Sequence, residues 1–309
     1  MPARHLTLVG PTASGKTALA LALARRRPEA VELVSVDSMA VYLGMDVGTA
    51  KPTLAERAGV TYHLIDLAEP SEDFSVSRFR AAAIEAIVGI EAQGKVALLV
   101  GGTGLYLQAV VDDLQVPGRW PEVAAELAAT RVLSLHRRLT ELDPVAAARM
   151  EPTNRRRVVR ALEVTLGSGR PFSSFGPGLA AYPPSRFDLL GLSLPAPALA
   201  ERIDARLEAQ MGAGFLAEVS RLATRPAGLS RTARQAVGYR ELLAHLETGL
   251  ALEEAVGQAR RRSHRLARRQ RAWFGRDPRI TWLAADDPVG ALNELEDRLD
   301  LLLAGRLRP

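Results

Sequence analysis

Residues 10 to 17 of the chain read GPTASGKT, a match to the pattern G-x-x-x-x-G-K-[ST]. Gly10 and Gly15 free the backbone there, so the loop of Pro11, Thr12, Ala13 and Ser14 can turn its amides onto an anion. Lys16 adds a point charge, and the Thr17 hydroxyl is placed to hold Mg²⁺. The pattern specifies a polyphosphate but no reaction, since hydrolases, kinases and other transferases all use it. The second residue with chemistry is Asp37, at the carboxyl end of a predicted strand in Val34-Ser35-Val36-Asp37-Ser38. Ligands of open α/β sheets bind at that edge. Asp37 could take a proton as a general base, hold Mg²⁺ through water, or cap the following turn; residue type alone leaves these open.

These groups need elements to carry them. Short apolar runs at Leu6–Val9, Leu33–Val36 and Val96–Val100 read as buried strands, with a further short one over His63–Asp66. Helical patterns over Thr17–Arg26 and Ser75–Glu91 separate them, and strand–helix alternation predicts an α/β fold with a parallel sheet core. The P-loop therefore lies between a strand and a helix, the setting the motif requires. From 115 to 170 no strand pattern appears, and residues 167–184 are rich in Gly, Pro and Ser. Phe187–Leu194 resumes as a strand, 198–275 reads as helices, and Ile280–Leu283 as a last strand. The expected architecture is a P-loop core of 1–114 and 187–309, with helices on both faces and a helical insertion over 115–186.

Composition narrows the function classes. With 309 residues, 47% of them hydrophobic and 24% charged, the chain can bury a sizeable core and has a globular balance. It contains no cysteine, which excludes disulfides, thiolate zinc sites and cysteine nucleophiles. No apolar run reaches the roughly 18 residues of a membrane span, so no membrane partner is expected. The N-terminal MPARHLTLVG enters a strand at once; no signal peptide is expected, and the expected compartment is the cytoplasm.

Of the 40 basic residues only Lys16, Lys51 and Lys95 are lysines. A GC-rich genome explains much of that bias, so placement carries more than number. Arg155, Arg156, Arg157 and Arg160 lie together, and Arg260–Arg276 holds eight arginines, His264 and no acid. In the second cluster Arg261, Arg265 and Arg268 share a helix face, with Leu266 and Trp273 on another. Two such clusters in a phosphate-loop protein point to nucleic acid. The five histidines lack metal-ligand spacing and read as structural or surface groups.

Beyond the P-loop, DSMAVYLGMDVGTAKP (Asp37–Pro52), VGGTGLYLQAV (Val100–Val110), RRRVVRALEV (Arg155–Val164), QAVGYRE (Gln235–Glu241) and RLARRQRAWF (Arg265–Phe274) resemble, in order, the signatures of the tRNA dimethylallyltransferases. The resemblance spans nearly the whole chain and implies transfer of a dimethylallyl group from dimethylallyl diphosphate to N6 of adenosine 37 in tRNA. The P-loop, with Arg240, then holds diphosphate rather than ATP, and Mg²⁺ is the cofactor. Asp37 becomes the general base, Thr103 positions the acceptor amine, and Lys16 stabilises the leaving group. By the same resemblance Ser38, Met39, Ala40, Arg156, Arg157, Arg160, Gln235, Gly238, Tyr239, Arg240, Arg268, Arg269 and Gln270 face the tRNA. The insertion is then a second wall around the anticodon stem-loop, and the expected state is a monomer. The chain departs from common family residues at Ala40, Gln235 and Phe274-Gly275. Lacking cysteine, it resembles the bacterial form without a zinc finger. A small-molecule kinase would explain the P-loop and Asp37 but not the arginine helix or GGTGLY. An enzyme prenylating free AMP would not need the basic clusters.

Overall fold

The apolar run HLTLV forms β1 (His5–Val9), buried at every position, as a strand covered on both faces must be. The computed structural model describes residues 4–176 and 178–305, so Pro177 of the expected linker lies outside the described residues, as do the first three and last four residues. The glycine loop leads into α1 (Lys16–Arg26), then β2 (Val31–Val36), β3 (Tyr62–His63), α2 (Val76–Ala92), β4 (Val96–Gly101) and α3 (Gly104–Val111). Four helices follow: α4 (Pro121–Ala128), α5 (Val132–Leu142), α6 (Pro144–Ala148) and α7 (Arg155–Ser168). After them come β5 (Phe187–Ser193), α8 (Ala196–Gly212), α9 (Phe215–Ala223), α10 (Tyr239–Thr248), α11 (Leu252–Phe274), β6 (Thr281–Ala284) and α12 (Pro288–Leu303).

The strands lie in the order β3-β2-β4-β1-β5-β6, and all the pairings are parallel. Alternation along each strand sorts their side chains into two cores. Leu6, Leu8, Leu33, Leu98 and Leu190 share one with Leu19 and Leu23 of α1, Ile203 of α8 and Leu295 of α12. Val34, Leu99 and Leu189 share the other with Phe79 of α2, Val219 of α9, Leu242 of α10 and Phe274 of α11. The expected α/β core with helices on both faces is what forms. Among the described residues no helix is long and apolar enough to cross a membrane.

Two elements depart from expectation. The strand expected over His63–Asp66 is only Tyr62–His63, because Leu64 and Asp66 take left-handed φ values of 63° and 61°, which an extended strand excludes. Helix α12 has no counterpart among the expected elements. Asp287 caps it through a 2.9 Å bond from the Gly290 amide, and Pro288 suits its first turn. Leu295 and Leu299 are fully buried in it. At about 2–5 kcal/mol for each buried leucine truncated, this helix is an integral part of the core.

The chain separates into two compact units, 1–111 with 183–309, and 112–182. Residues 183–186, expected in the insertion, belong to the sheet unit: Ser185 Oγ donates to Val111 O at 2.9 Å and Arg4 N to Arg186 O at 2.8 Å. The second unit has its own core of Leu127, Leu135, Leu139, Val158 and Leu162. Its buried Asp143 caps α6 through Ala146 N (3.0 Å) and accepts from Ser173 N (2.7 Å). Arg155, at the head of the first arginine cluster, caps α4 by donating to the carbonyls of Leu127, Ala128 and Thr130.

The histidines make structural contacts, and among the described residues no group of three potential ligands could hold a metal. His5 of β1 is buried between strands. Its Nδ1 accepts from Ala97 N–H at 3.2 Å, so the proton sits on Nε2, which donates to Glu91 at 2.8 Å. Burial depresses its pKa below 6.5, outweighing the opposing pull of Glu91. As pH falls below 6.5 the unfolded chain takes up this proton first. Stability is therefore full above 6.5 and is lost as pH falls through the lower folded value. A tenfold difference in proton affinity between the two states is worth about 1.4 kcal/mol. We expect thermal melts to show Tm falling between pH 7 and 5, and His5→Gln to flatten that fall.

Candidate active site

The P-loop conformation follows from its glycines. Gly10 has φ 145°, and a Cβ there would come within 2.7 Å of the Leu192 carbonyl. Gly15 (φ 97°) occupies the N-cap of α1 without a side-chain cap, and the first turn carries no acid. The first amides of α1 are thus left for an anion, with the positive end of the helix dipole behind them. Lys16 Nζ is held by Pro11 O at 2.6 Å and Ser14 Oγ at 3.3 Å. Burial, with Arg206 nearby, pushes its pKa down to about 7, and Asp37 offsets this only in part.

Asp37 directly follows β2, beside this loop. Its Oδ1 accepts from the amides of Met39 (2.7 Å) and Ala40 (3.3 Å). One oxygen thus caps the turn, while the other has no hydrogen-bond partner among the described residues. The Thr103 hydroxyl, just past β4, accepts from Ser38 N at 3.1 Å and lies 3.4 Å from Ser38 Oγ. Asp37 and Thr103 are therefore tied to adjacent residues.

A cavity of about 780 Å³ opens between the P-loop, the ends of β2 and β4, residues 48–52, and helices α8 and α11. Of the expected site residues, Thr12, Ala13, Gly15, Lys16, Thr17, Asp37, Ser38, Met39, Ala40, Thr103, Gln235, Gly238, Tyr239, Arg269 and Gln270 line it. Gly10, Pro11 and Ser14 shape the loop from behind. Thr17 and Asp37 offer hard oxygens, which suits Mg²⁺ shared with phosphate and water rather than caged by protein.

Other expected residues stand elsewhere. Arg240 is exposed at the start of α10 and does not line the cavity; the arginines over the P-loop are Arg202 and Arg206 of α8. Arg206 Nη1 donates to Thr12 Oγ1 at 3.1 Å and Nη2 to Thr49 O at 3.3 Å. Neither arginine makes an ion pair among the described residues, and burial lowers the Arg206 pKa. Sequence reasoning missed both, although Arg202, Arg206 and Gln210 recur every four residues, as one face of a helix does. Tyr239, expected on the tRNA side, is fully buried and donates to the buried carboxylate of Glu218; its side chain offers packing rather than an exposed face.

The arginine clusters divide in the same way. On α11, Arg260 pairs with Glu208 and Asp204, Arg261 with Glu254, and Arg262 with Glu241. Arg261 stays exposed on the face it shares with Arg265 and Arg268, but its charge is paired. Arg265, Arg268, Arg269 and Arg271 are exposed and make no ion pair among the described residues. Gln270 accepts from Thr12 N at 2.8 Å and donates to Gly102 O at 2.9 Å, clasping the P-loop to the β4 turn. In the second unit Arg156 and Arg157 are exposed. Arg160 donates to Pro117 O at 2.8 Å and pairs with buried Glu163 at 2.9 Å.

The family model described as IPP transferase matches residues 40–277. The chain is 48% identical over 289 residues to the tRNA dimethylallyltransferase of Roseiflexus castenholzii, covering 92% of this chain and 93% of the relative. It is 45% identical over 305 residues to that of Kineococcus radiotolerans, covering 96% of each. Among solved structures it is similar to the full-length tRNA isopentenylpyrophosphate transferase of Bacillus halodurans, with TM-score 0.70, 35% identity and 97% of each chain covered.

Lys16 supplies a test of the anion site. Its folded pKa of about 7 lies below the ordinary lysine value of 10.5, so between these values the unfolded chain binds the extra proton and stability rises with pH. An anion needs the charged form, so its binding takes up a proton above pH 7. Relative to Lys16→Arg, which stays charged, wild-type affinity for inorganic diphosphate should fall by up to about tenfold per pH unit above 7. Titration calorimetry at pH 7, 8 and 9 checks this; parallel profiles would exclude it.

Proposed function

Because the chain belongs to the IPP transferase family, we propose that it transfers a dimethylallyl group from dimethylallyl diphosphate to N6 of adenosine 37, beside the anticodon of tRNA. The observation carrying this reading is a phosphate loop with a buried lysine sharing one cavity with a half-free carboxylate, Asp37. The neighbouring helix bears unpaired arginines. A kinase needs the first of these features but has no use for the last.

The residues divide the work. Loop amides and Lys16 bind the diphosphate and hold the charge that grows on it as it leaves, usually a large catalytic contribution. Mg²⁺, held by Thr17 with the phosphates, would add Lewis-acid stabilisation of the same charge. N6 attacks the allylic C1 as the C1–O bond breaks, and the bonding pair departs with diphosphate. An adenine amine is a weak nucleophile, so removal of its proton assists the step. Asp37 is held by the Met39 and Ala40 amides on one oxygen and takes that proton on the other. Thr103, anchored through Ser38, positions the amine. A loop nucleotide is cheap to extrude into such a cavity. Arg265, Arg268 and Arg269 bind backbone phosphates, and Arg156 and Arg157 contact the anticodon stem-loop. The enzyme acts as a monomer in the cytoplasm.

Incubating the protein with dimethylallyl diphosphate, Mg²⁺ and unmodified tRNA should give N6-isopentenyladenosine by mass spectrometry, without ATP turnover. Asp37→Asn keeps the shape but accepts no proton, so kcat should fall roughly 10²- to 10⁴-fold with diphosphate affinity near wild type. Loss of that affinity, restored by added Mg²⁺, would instead make Asp37 a metal ligand.

Recognition is tested separately. Replacing Arg265, Arg268 and Arg269 together by Gln should weaken all tRNAs alike. It should also flatten the dependence of log K on log salt by about one unit per lost phosphate contact. An unchanged slope would reduce α11 to a solvated basic face.

A further inference from the structure

Residues 46–52 form no regular secondary structure, yet side chains bond much of their backbone. Glu218 of α9 accepts from the amides of Asp46 (2.9 Å) and Val47 (2.8 Å) on Oε2, and of Gly48 (3.1 Å) on Oε1. The Tyr239 hydroxyl donates to the same Oε1. Gln210 donates to the carbonyls of Val47 (2.7 Å) and Gly48 (3.0 Å). The next carbonyl, Thr49 O, receives Arg206. Gly48 is irreplaceable here: a Cβ would lie 2.1 Å from the Phe215 ring and 2.5 Å from Tyr239.

Glu218 is only 6% exposed and has no cationic partner among the described residues. A buried carboxylate is costly unless its lone pairs are filled, and three amides and a phenol fill them. All four are donors, so a glutamine in its place would set an NH₂ against them. A continuous line results: Glu218, the amides of 46–48, the Thr49 carbonyl, the Arg206 guanidinium, and Thr12 of the P-loop. Among the described residues Arg206 has no carboxylate partner, and its hydrogen bonds go to Thr49 O and Thr12 Oγ1, which fix its direction. A guanidinium aimed beforehand need not reorganise as charge develops.

We propose that Glu218 is a positioning residue of the diphosphate site, fixing the Thr49 carbonyl and thereby aiming Arg206 over the phosphate loop. This rests on the diphosphate reading above and extends it to a residue outside the cavity lining.

The test is calorimetric binding of inorganic diphosphate, with Mg²⁺, to wild type, Arg206→Gln, Glu218→Gln and the double variant, each checked by thermal melt. Wild-type binding tests the diphosphate reading by itself, so its failure is seen separately. Arg206→Gln should weaken binding about 30-fold and Glu218→Gln about tenfold, as charge-assisted contacts do. Because Glu218 acts through Arg206, the double variant should bind no more weakly than Arg206→Gln. Tyr239→Phe removes one donor without changing shape; about threefold weakening is expected, vanishing in the Arg206→Gln background. A folded Glu218→Gln that binds within about twofold of wild type overturns the proposal, as do losses that multiply to about 300-fold. A variant that melts earlier with unchanged diphosphate affinity marks a purely structural role and overturns it as well. If Glu218→Gln does not fold, Tyr239→Phe decides by the same criteria.

Discussion

Positive charge collected around one loop, with too little negative charge to balance it, is the constraint on which the rest of the structure depends. Lys16 is buried with carbonyl and hydroxyl partners only, and Arg206 beside it pairs with no acid among the described residues. Asp37 is the carboxylate whose field reaches both. Burying cations without counterions costs free energy, and the depressed Lys16 pKa is that cost seen through proton affinity. The two cores of the sheet hold these groups together against their repulsion, and a bound anion relieves it. Stability has thus been exchanged for readiness to bind, as strained functional sites commonly require.

Thr12 is where the arrangement closes. Its hydroxyl is taken by Arg206 of α8 and its amide by Gln270 of α11. Two helices from the C-terminal half therefore set the shape of a loop that the N-terminal half supplies. Helix α11 also presents Arg262, Leu266, Arg269 and Trp273 to the cavity, and Arg265 and Arg268 to solvent. The face proposed to meet RNA and the side chain that braces the phosphate loop are thus parts of one rigid element, which holds their separation more closely than loops would.

What was legible in the sequence follows from how local each device is. GPTASGKT encodes its own conformation, because Gly10 and Gly15 permit backbone angles that few other residues take. The strands announce themselves because a parallel strand buried on both faces must be apolar throughout. Asp37 is legible from its place at a strand end. Arg206 and Glu218 are not, since their partners around Thr49 lie 157 and 170 residues away. Arg240 misleads for a related reason. It lies two residues after Gly238, whose φ of 86° turns the chain, and the direction of its side chain depends on that turn and on how α10 packs. The His63–Asp66 strand fails because two left-handed residues interrupt an apolar run whose composition does not reveal them.

The arginine clusters show why a run of like charges in sequence is not yet an electrostatic feature. Arg155 is engaged by helix carbonyls and Arg160 by Glu163, so the first cluster presents mainly Arg156 and Arg157. On α11, Asp204 and Glu208 of α8 and Glu241 of α10 neutralise Arg260 and Arg262, and Glu254 of α11 itself neutralises Arg261, in the middle of the helix. Beyond Leu266, Arg268, Arg269 and Arg271, around Gln270, make no ion pair among the described residues. Unbalanced charge therefore rises along the helix towards the residue that clasps the phosphate loop. The helix C-terminus carries the negative end of the dipole, so arginines there are also favoured intrinsically. Unpaired charge of one sign beside a cavity is the arrangement that steers a polyanion to its site. Paired arginines fix the helix in place while unpaired ones give it direction. The residue type is the same in both, and the placement of acids, on α11 itself and on the elements packed against it, separates them.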